Sequence, residues 1–226
     1  MERKQFLRTI GGAALAPLVS SSMLTPHASS AASSPPRCTF SPSVPEGPFY
    51  FDAKLVRQDI AEGLPGLPLE YRLTVVDAAC KPVTNARVDV WQCDVDGVYS
   101  GYDGQATGAR TIGKTFLRGI QPTDARGLAR FTAIYPGWYP RRVTHLHVKI
   151  HLSSKAVVTT NLFFPDAVNA HVYASTPYDK RGRNPVTIEQ DVELKGDTAR
   201  FNALMLDITR EPGGRYLGTY TFGIDA

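Results

Sequence analysis

Leu69, Tyr71, Leu73 and Val75 alternate with Glu70, Arg72 and Thr74, the period-two pattern of a half-buried strand. Ala79-Cys80-Lys81-Pro82 makes a turn, and Arg87 to Trp91 alternates again on the way back. That second strand runs straight into an Asp/Gly-rich stretch from Gln92 to Tyr102. A turn at Thr123 to Gly127 feeds a further strand that stops at Tyr135-Pro136-Gly137. Val143, Leu146, Val148 and Ile150 suit a pleated surface and fit no helical period, which predicts a strand through His145 and His147, with Arg142 on it ahead of them. Thr159 to Phe164 is rich in β-formers and is halted by Pro165-Asp166; Asp166 to Ala174 then reads as a short helix. Phe201 to Thr209 and Tyr216 to Phe222 are predicted as closing strands, and Leu55 to Gly66 as a loop with at most one helical turn. The fold class expected is all-β: a β-sandwich with long irregular loops and one or two short helices.

Composition narrows this little. Hydrophobic residues make up 42% and charged residues 20% of the 226, ordinary for a globular chain, and 17 prolines with 19 glycines agree with many turns. The formal net charge is +4, but Arg3, Lys4, Arg8 and Arg37 lie in or beside the N-terminal segment. Residues 1–33 read as an export signal: a basic start, a short apolar stretch from Ile10 to Val19, then Ser and Ala. Arg3-Lys4-Gln5-Phe6-Leu7-Arg8 is similar to a twin-arginine signal with Lys4 in place of the second arginine, and the ordinary secretory route stays open. Residues 34–226 are left as one domain. With no Lys/Arg run or basic helix, nucleic acid is not expected as a partner; no later segment reaches membrane length, so none is expected there after signal removal. Neither the number of copies nor a homo-oligomer is decided. Three cysteines in an exported chain allow one disulfide. Cys80 and Cys93 sit too far apart along a hairpin to pair, so a bridge would involve Cys38.

The candidate chemistry lies in Pro136 to Ile150. On a strand, His145 and His147 share one face while Leu146 and Val148 take the other. Two strand histidines satisfied by hydrogen bonds would explain the pair alone. Tyr139, six residues earlier at the end of a Pro-Gly-Trp-Tyr-Pro turn, has the reach to place its phenol over that face, and Tyr99 in the Asp/Gly-rich loop supplies a second phenol; taken alone, Tyr99 could equally be an aromatic plug at a strand end. His151 and His171 read as surface or packing residues. Zinc favours Cys and His, calcium and magnesium favour carboxylates, and the carboxylate of a two-His-one-carboxylate ferrous set is missing. Two phenolates suit a trivalent, acidic ion that pulls their pKa far below about 10. Fe(III), mononuclear and non-haem, is the cofactor this set points to; its residual positive charge favours a bidentate, dianionic oxygen ligand such as a catecholate.

These residues resemble the intradiol ring-cleavage dioxygenases, the family that includes protocatechuate 3,4-dioxygenase. The resemblance runs from about Thr39 to Phe222. It is carried by Glu46-Gly47-Pro48-Phe49-Tyr50, by Val90-Trp91-Gln92 through Tyr99, by Thr123-Asp124 with Gly127 and Phe131, and above all by Pro136-Gly137-Trp138-Tyr139-Pro140 followed by Arg142-Val143-Thr144-His145-Leu146-His147. It implies a β-sandwich with Tyr99, Tyr139, His145 and His147 as iron ligands, Tyr139 accepting a proton from the diol, and Arg142 facing the substrate ring as a cation. It further implies that the partners are a small aromatic diol and O2, and the product a cis,cis-muconate. Gly47, Pro48, Tyr50, Arg142 and Asn161 are the expected substrate-binding residues. Asn161 stands where the family usually has Gln, so a shorter amide must support Arg142. The alternative from another class is a non-catalytic sandwich similar to transthyretin or carboxypeptidase regulatory domains; a zinc or copper hydrolase using the His pair is a third.

Overall fold

The computed structural model describes residues 38–153 and 155–226; the proposed export signal at 1–33 lies outside them. Among the described residues eight strands form: β1 (Pro68–Val76), β2 (Arg87–Trp91), β3 (Arg118–Pro122), β4 (Leu128–Ile134), β5 (His145–Leu152), β6 (Lys155–Phe163), β7 (Asp207–Arg210) and β8 (Tyr216–Gly223). Two short helices, α1 (Asp166–Val172) and α2 (Thr198–Ala203), fall between β6 and β7. The strands make two four-stranded sheets, ordered β4-β1-β8-β7 and β3-β2-β5-β6. This is the all-β sandwich that the alternation predicts.

The inward faces fill the core. Leu69, Tyr71, Leu73 and Val75 from β1 and Leu146, Val148 and Ile150 from β5 are all fully buried. The period of two then sends His145 and His147 to the other face of the second sheet, away from that core. They are nonetheless 3% and 1% exposed, because long loops roof that face. One is a strap from Cys38 to Phe51, bonded to the sheets at Ser41 N→Gly223 O and Val44 N→Thr159 O and fastened by a Cys38–Cys80 disulfide. Cys93 is free and buried.

Several local expectations need correction. Phe201–Thr209 is not one strand: the Asp197 side chain caps a helix by accepting from Arg200 N at 2.9 Å, so residues 198–203 coil and only Asp207–Arg210 extends. Phe201 and Leu204, three apart, are both buried, a helical spacing. Arg142 precedes β5 in irregular chain rather than lying on the strand. Leu55–Gly66 is the loop expected, without a helical turn and with two isolated bridges, Val56 to Ile120 and Asp59 to Thr132. Strand β3, with Gly119 and Pro122 inside it, carries no alternation that sequence reading would catch. β8 pairs in parallel with β1, joining opposite ends of the domain.

Candidate metal centre

The register of the second sheet sets the site. Trp91 of β2 lies opposite His147 of β5, which lies opposite Asn161 of β6, so their side chains form one row on the outer face. Trp91 accordingly stacks on the His147 ring, centroids 4.7 Å apart and planes within 8°. The Asn161 amide nitrogen sits 2.8 Å from His147 Nδ1. His145 is two residues along the same face, and its Nδ1 lies 2.6 Å from the Val143 carbonyl. A carbonyl only accepts, so that nitrogen carries the proton and Nε2 presents a bare lone pair.

Two loops bring the phenols. The Tyr99 loop follows β2 and is gripped at its main chain by Gln105, whose side chain accepts from Tyr99 N (2.7 Å) and donates to Tyr99 O (2.8 Å). The Tyr139 turn follows β4 and is pinned by Trp138 Nε1→Gly182 O at 2.9 Å and Arg181 Nη1→Trp138 O at 2.7 Å. Glycines allow the two loops to touch backbone to backbone. A Cβ on Gly97 would lie 2.1 Å from Trp138 O, and one on Gly137 would lie 2.4 Å from Val95 O. The sequence patterns PGWYP and DGVY thus share a packing reason.

The result is a chain of four donor atoms. Tyr139 Oη lies 3.0 Å from His145 Nε2, which lies 3.0 Å from His147 Nε2, which lies 3.0 Å from Tyr99 Oη. Two ligands held about 2.1 Å from one ion at right angles are themselves about 3.0 Å apart. The spacing therefore matches adjacent corners of one coordination sphere. Among the described residues there is no cluster of three or more His, Cys, Asp or Glu; the groups beside the two imidazoles are the phenol oxygens.

Burial sets the protonation. It holds both imidazoles well below their ordinary pKa, with the Arg142 cation adding to the effect on His145, and His145 together with Arg142 adding to it on His147. Burial also pushes the Tyr99 phenol well above its ordinary value and that of Tyr139 up to about 12, with the Arg142 cation opposing the rise at both. Without a cation, the four donors are all neutral at pH 7. A strongly acidic ion is what would convert such phenols to phenolates.

Arg142 is 4% exposed and fixed from three sides. Its Nε donates to both Asp191 oxygens (3.0 and 3.3 Å), Nη2 to Asn161 Oδ1 (2.6 Å), and Nη1 to Tyr139 Oη (3.5 Å). Asn161 thus reaches Arg142 and His147 at once, despite being shorter than Gln. Gly47 lies over the pair, its missing Cβ 3.6 Å from His147 Cε1, with Pro48 exposed beside it. Tyr50 is not brought to the donors. Its phenol donates to Asp89 Oδ2 at 3.0 Å and its ring packs on Trp91 from behind. His171 is exposed and His151 lies farther along β5, so neither joins the site. Sequence reading missed Asp191, Gln105 and Phe49, whose ring stacks on Tyr99 at 4.4 Å; Phe49 alone had a signal, standing inside the strap motif.

The family model described as Dioxygenase matches residues 42–204. Hydroxyquinol 1,2-dioxygenase of Corynebacterium glutamicum is 33% identical over 138 residues, 52% of this chain and 44% of that one. The protocatechuate 3,4-dioxygenase beta chain of Burkholderia cepacia is 33% identical over 136 residues, 52% of this chain and 56% of that one. The chain therefore spans about half the length of the curated relatives it matches. Among solved structures, an intradiol ring-cleavage dioxygenase from Tetranychus urticae superposes with a TM-score of 0.73 at 28% identity, over 83% of this chain and 95% of that one. The dioxygenase domain of a carbohydrate-binding fusion from Streptomyces sp. SirexAA-E gives 0.58 at 28% identity, over 83% and 99%. The match covers both phenol loops, the paired histidines and Arg142, and on it the chain belongs to the intradiol ring-cleavage dioxygenase family.

Proposed function

We propose that this protein binds a single ferric ion through Tyr99, Tyr139, His145 and His147, and that it cleaves a catechol- or hydroxyquinol-type diol with O2 between its two hydroxyls. The product would be a cis,cis-muconate-type diacid. The observation that carries the reading is the run of four donor atoms spaced 3.0 Å apart, two of them phenols. When bound, ferric iron supplies a Lewis acid that holds both diol oxygens and draws electron density from the ring toward reaction with O2.

The protein's own contribution follows from its fixed groups. Tyr139, which would be a phenolate with the ion bound, would take up a diol proton and become a neutral phenol; Arg142, whose Nη1 lies 3.5 Å from that oxygen, would direct its charge at the substrate ring. Trp91 and Phe49 cover the flanks of His147 and Tyr99, keeping water from the donors. Asp191 and Asn161 prevent Arg142 from swinging away.

Export is part of the proposal. The basic start and short apolar stretch of residues 1–33 support it, and so does the Cys38–Cys80 bridge, since structural disulfides persist in oxidising compartments.

Reconstitution with ferric iron tests the reading. One iron per chain, a tyrosinate charge-transfer colour, and oxygen uptake with catechol, hydroxyquinol or protocatechuate yielding a muconate are the expected results. A colourless protein that takes up no ferric iron and consumes no oxygen with any of the three diols would overturn it.

A further inference from the structure

Arg118, on β3, is 2% exposed, and no ion pair among the described residues includes it. Its hydrogen bonds all end on neutral oxygens: Nε to Ser100 Oγ at 2.9 Å, Nη2 to the Ser100 carbonyl at 2.7 Å, and Nη1 to the Phe49 carbonyl at 2.7 Å. Below the guanidinium lies the Phe51 ring, 4.3 Å from its carbon to the centroid. Burial lowers the guanidinium pKa to about 10, so it stays charged at neutral pH. An unpaired buried cation carries a desolvation cost that neutral hydrogen bonds offset only in part.

Both ends of this clamp act on Tyr99. Ser100 is its neighbour in the chain, and Phe49 is the ring stacked on it, at 4.4 Å and 16°. The other phenol of the donor set, Tyr139, has a cation of its own in Arg142. Among the described residues Tyr99 has no hydrogen bond to a cation; the Arg142 charge reaches it from the Tyr139 side, and Arg118 is the second buried charge coupled to it. We infer that Arg118 is a positioning residue for Tyr99: its fork locks the Tyr99 loop to the Phe49 strap, and its fixed charge stabilises the Tyr99 phenolate once metal is bound. The inference rests on the ferric reading above. It makes Arg118 a second cation for Tyr99 beside Arg142, which acts on both phenols; Arg142 has Asp191 as its counter-ion, whereas Arg118 has no carboxylate partner among the described residues.

Arg118→Gln and Arg118→Lys, each in the full-length ferric protein, test it by iron stoichiometry and by the wavelength of the tyrosinate-to-ferric band. Gln keeps a donor for the Phe49 carbonyl but removes the charge, leaving the donor electrons of the phenolate less stabilised. Its band should move to longer wavelength, while one iron per chain is retained through the unchanged donors. Lys keeps the charge, and its band should stay at the wild-type position. An iron-loaded Arg118→Gln protein with an unmoved band would overturn the role of Arg118. Should the Gln variant not fold, the Lys variant decides: a wild-type band supports the inference and a displaced one refutes it. Failure of the ferric reading looks different, because wild type itself would then show neither iron nor band.

Discussion

Asp191→Asn is the sharpest probe of how the site is held. The carboxylate is fully buried and accepts five contacts. One oxygen takes Val143 N at 2.8 Å and Arg142 Nε at 3.0 Å; the other takes Glu193 N at 2.9 Å, Leu194 N at 3.0 Å and Arg142 Nε at 3.3 Å. An amide has a single oxygen, so either orientation turns an NH2 group toward at least two N–H donors. The substitution also strips the counter-charge from Arg142. Unmade buried hydrogen bonds cost about 1–3 kcal/mol each, and breaking one partner of a buried pair costs about 3–5 kcal/mol in all. We expect a loss near the middle of that range, because Asn161 still holds Nη2. Urea unfolding at pH 7 measures it. In the ferric enzyme, kcat/KM should fall about a hundredfold, as for a misplacement of about 1 Å. Adding Arg142→Met should bring much of the stability back, since a buried pair replaced as a unit is close to neutral. A loss under about 1 kcal/mol with unchanged kcat/KM would refute the claim that Asp191 fixes the guanidinium.

Tyr139→Phe should keep iron through the three remaining donors while its charge-transfer spectrum changes and kcat/KM drops at least about a hundredfold, the share expected of a lost proton acceptor; equal colour and turnover would remove Tyr139 from the donor set. Cys38→Ser opens a link across a sequence separation of 42, worth about 4 kcal/mol by loop entropy, and should lower the melting temperature by about 10 °C; a shift under about 2 °C in calorimetry would show that the strap is held by its other bonds. Asp52 accepts from Arg87 at 2.7 Å, and that hydrogen bond holds its carboxyl below the usual range. Its contribution is therefore complete above about pH 4 and disappears as pH falls through its folded pKa. For so exposed a pair it is a few tenths of a kcal/mol. Asp52→Asn should show that small deficit at pH 7 and a smaller one at pH 2.5 in denaturant titrations; a deficit of the same size at both pH values would show that the charge is not its source.

What could be read from the sequence was whatever a short period or a short turn encodes. The shared face of His145 and His147 follows from a strand's period of two, and the reach of Tyr139 follows from six residues and a proline-bounded turn. The partners that fix those groups leave no such trace. Asp191 lies 49 residues from Arg142, and Arg118 lies 69 from Phe49; each is a single polar residue in an unpatterned segment until the chain has folded. Residues 201–209 failed for the opposite reason. Phe201, Ala203 and Met205 do alternate, but the Asp197 cap and the Phe201/Leu204 spacing point to a helix, and the cap's hydrogen bond to Arg200 N prevails. The register that sets Trp91, His147 and Asn161 in one row is likewise a property of three strands together.

The electrostatics of the donor set bear on how the centre assembles. Two imidazoles held neutral and two phenols held protonated make an uncharged cluster, so burying it carries no ionic desolvation cost. The proton on His145 Nδ1 is held by the Val143 carbonyl, and its bare Nε2 accepts from Tyr139 Oη at 3.0 Å. The site can therefore be satisfied by hydrogen bonds before any metal arrives, unlike domains in which the ion supplies the folding energy. On the ferric reading, an entering ion would have to displace both phenol protons and the proton that donation from Asn161 to His147 Nδ1 leaves on Nε2, and the phenolate oxygens so formed would lie beside Arg142. Rigidity comes from the sheet, which fixes the imidazoles; charge compensation comes from the loops, which carry the phenols and close around the two arginines.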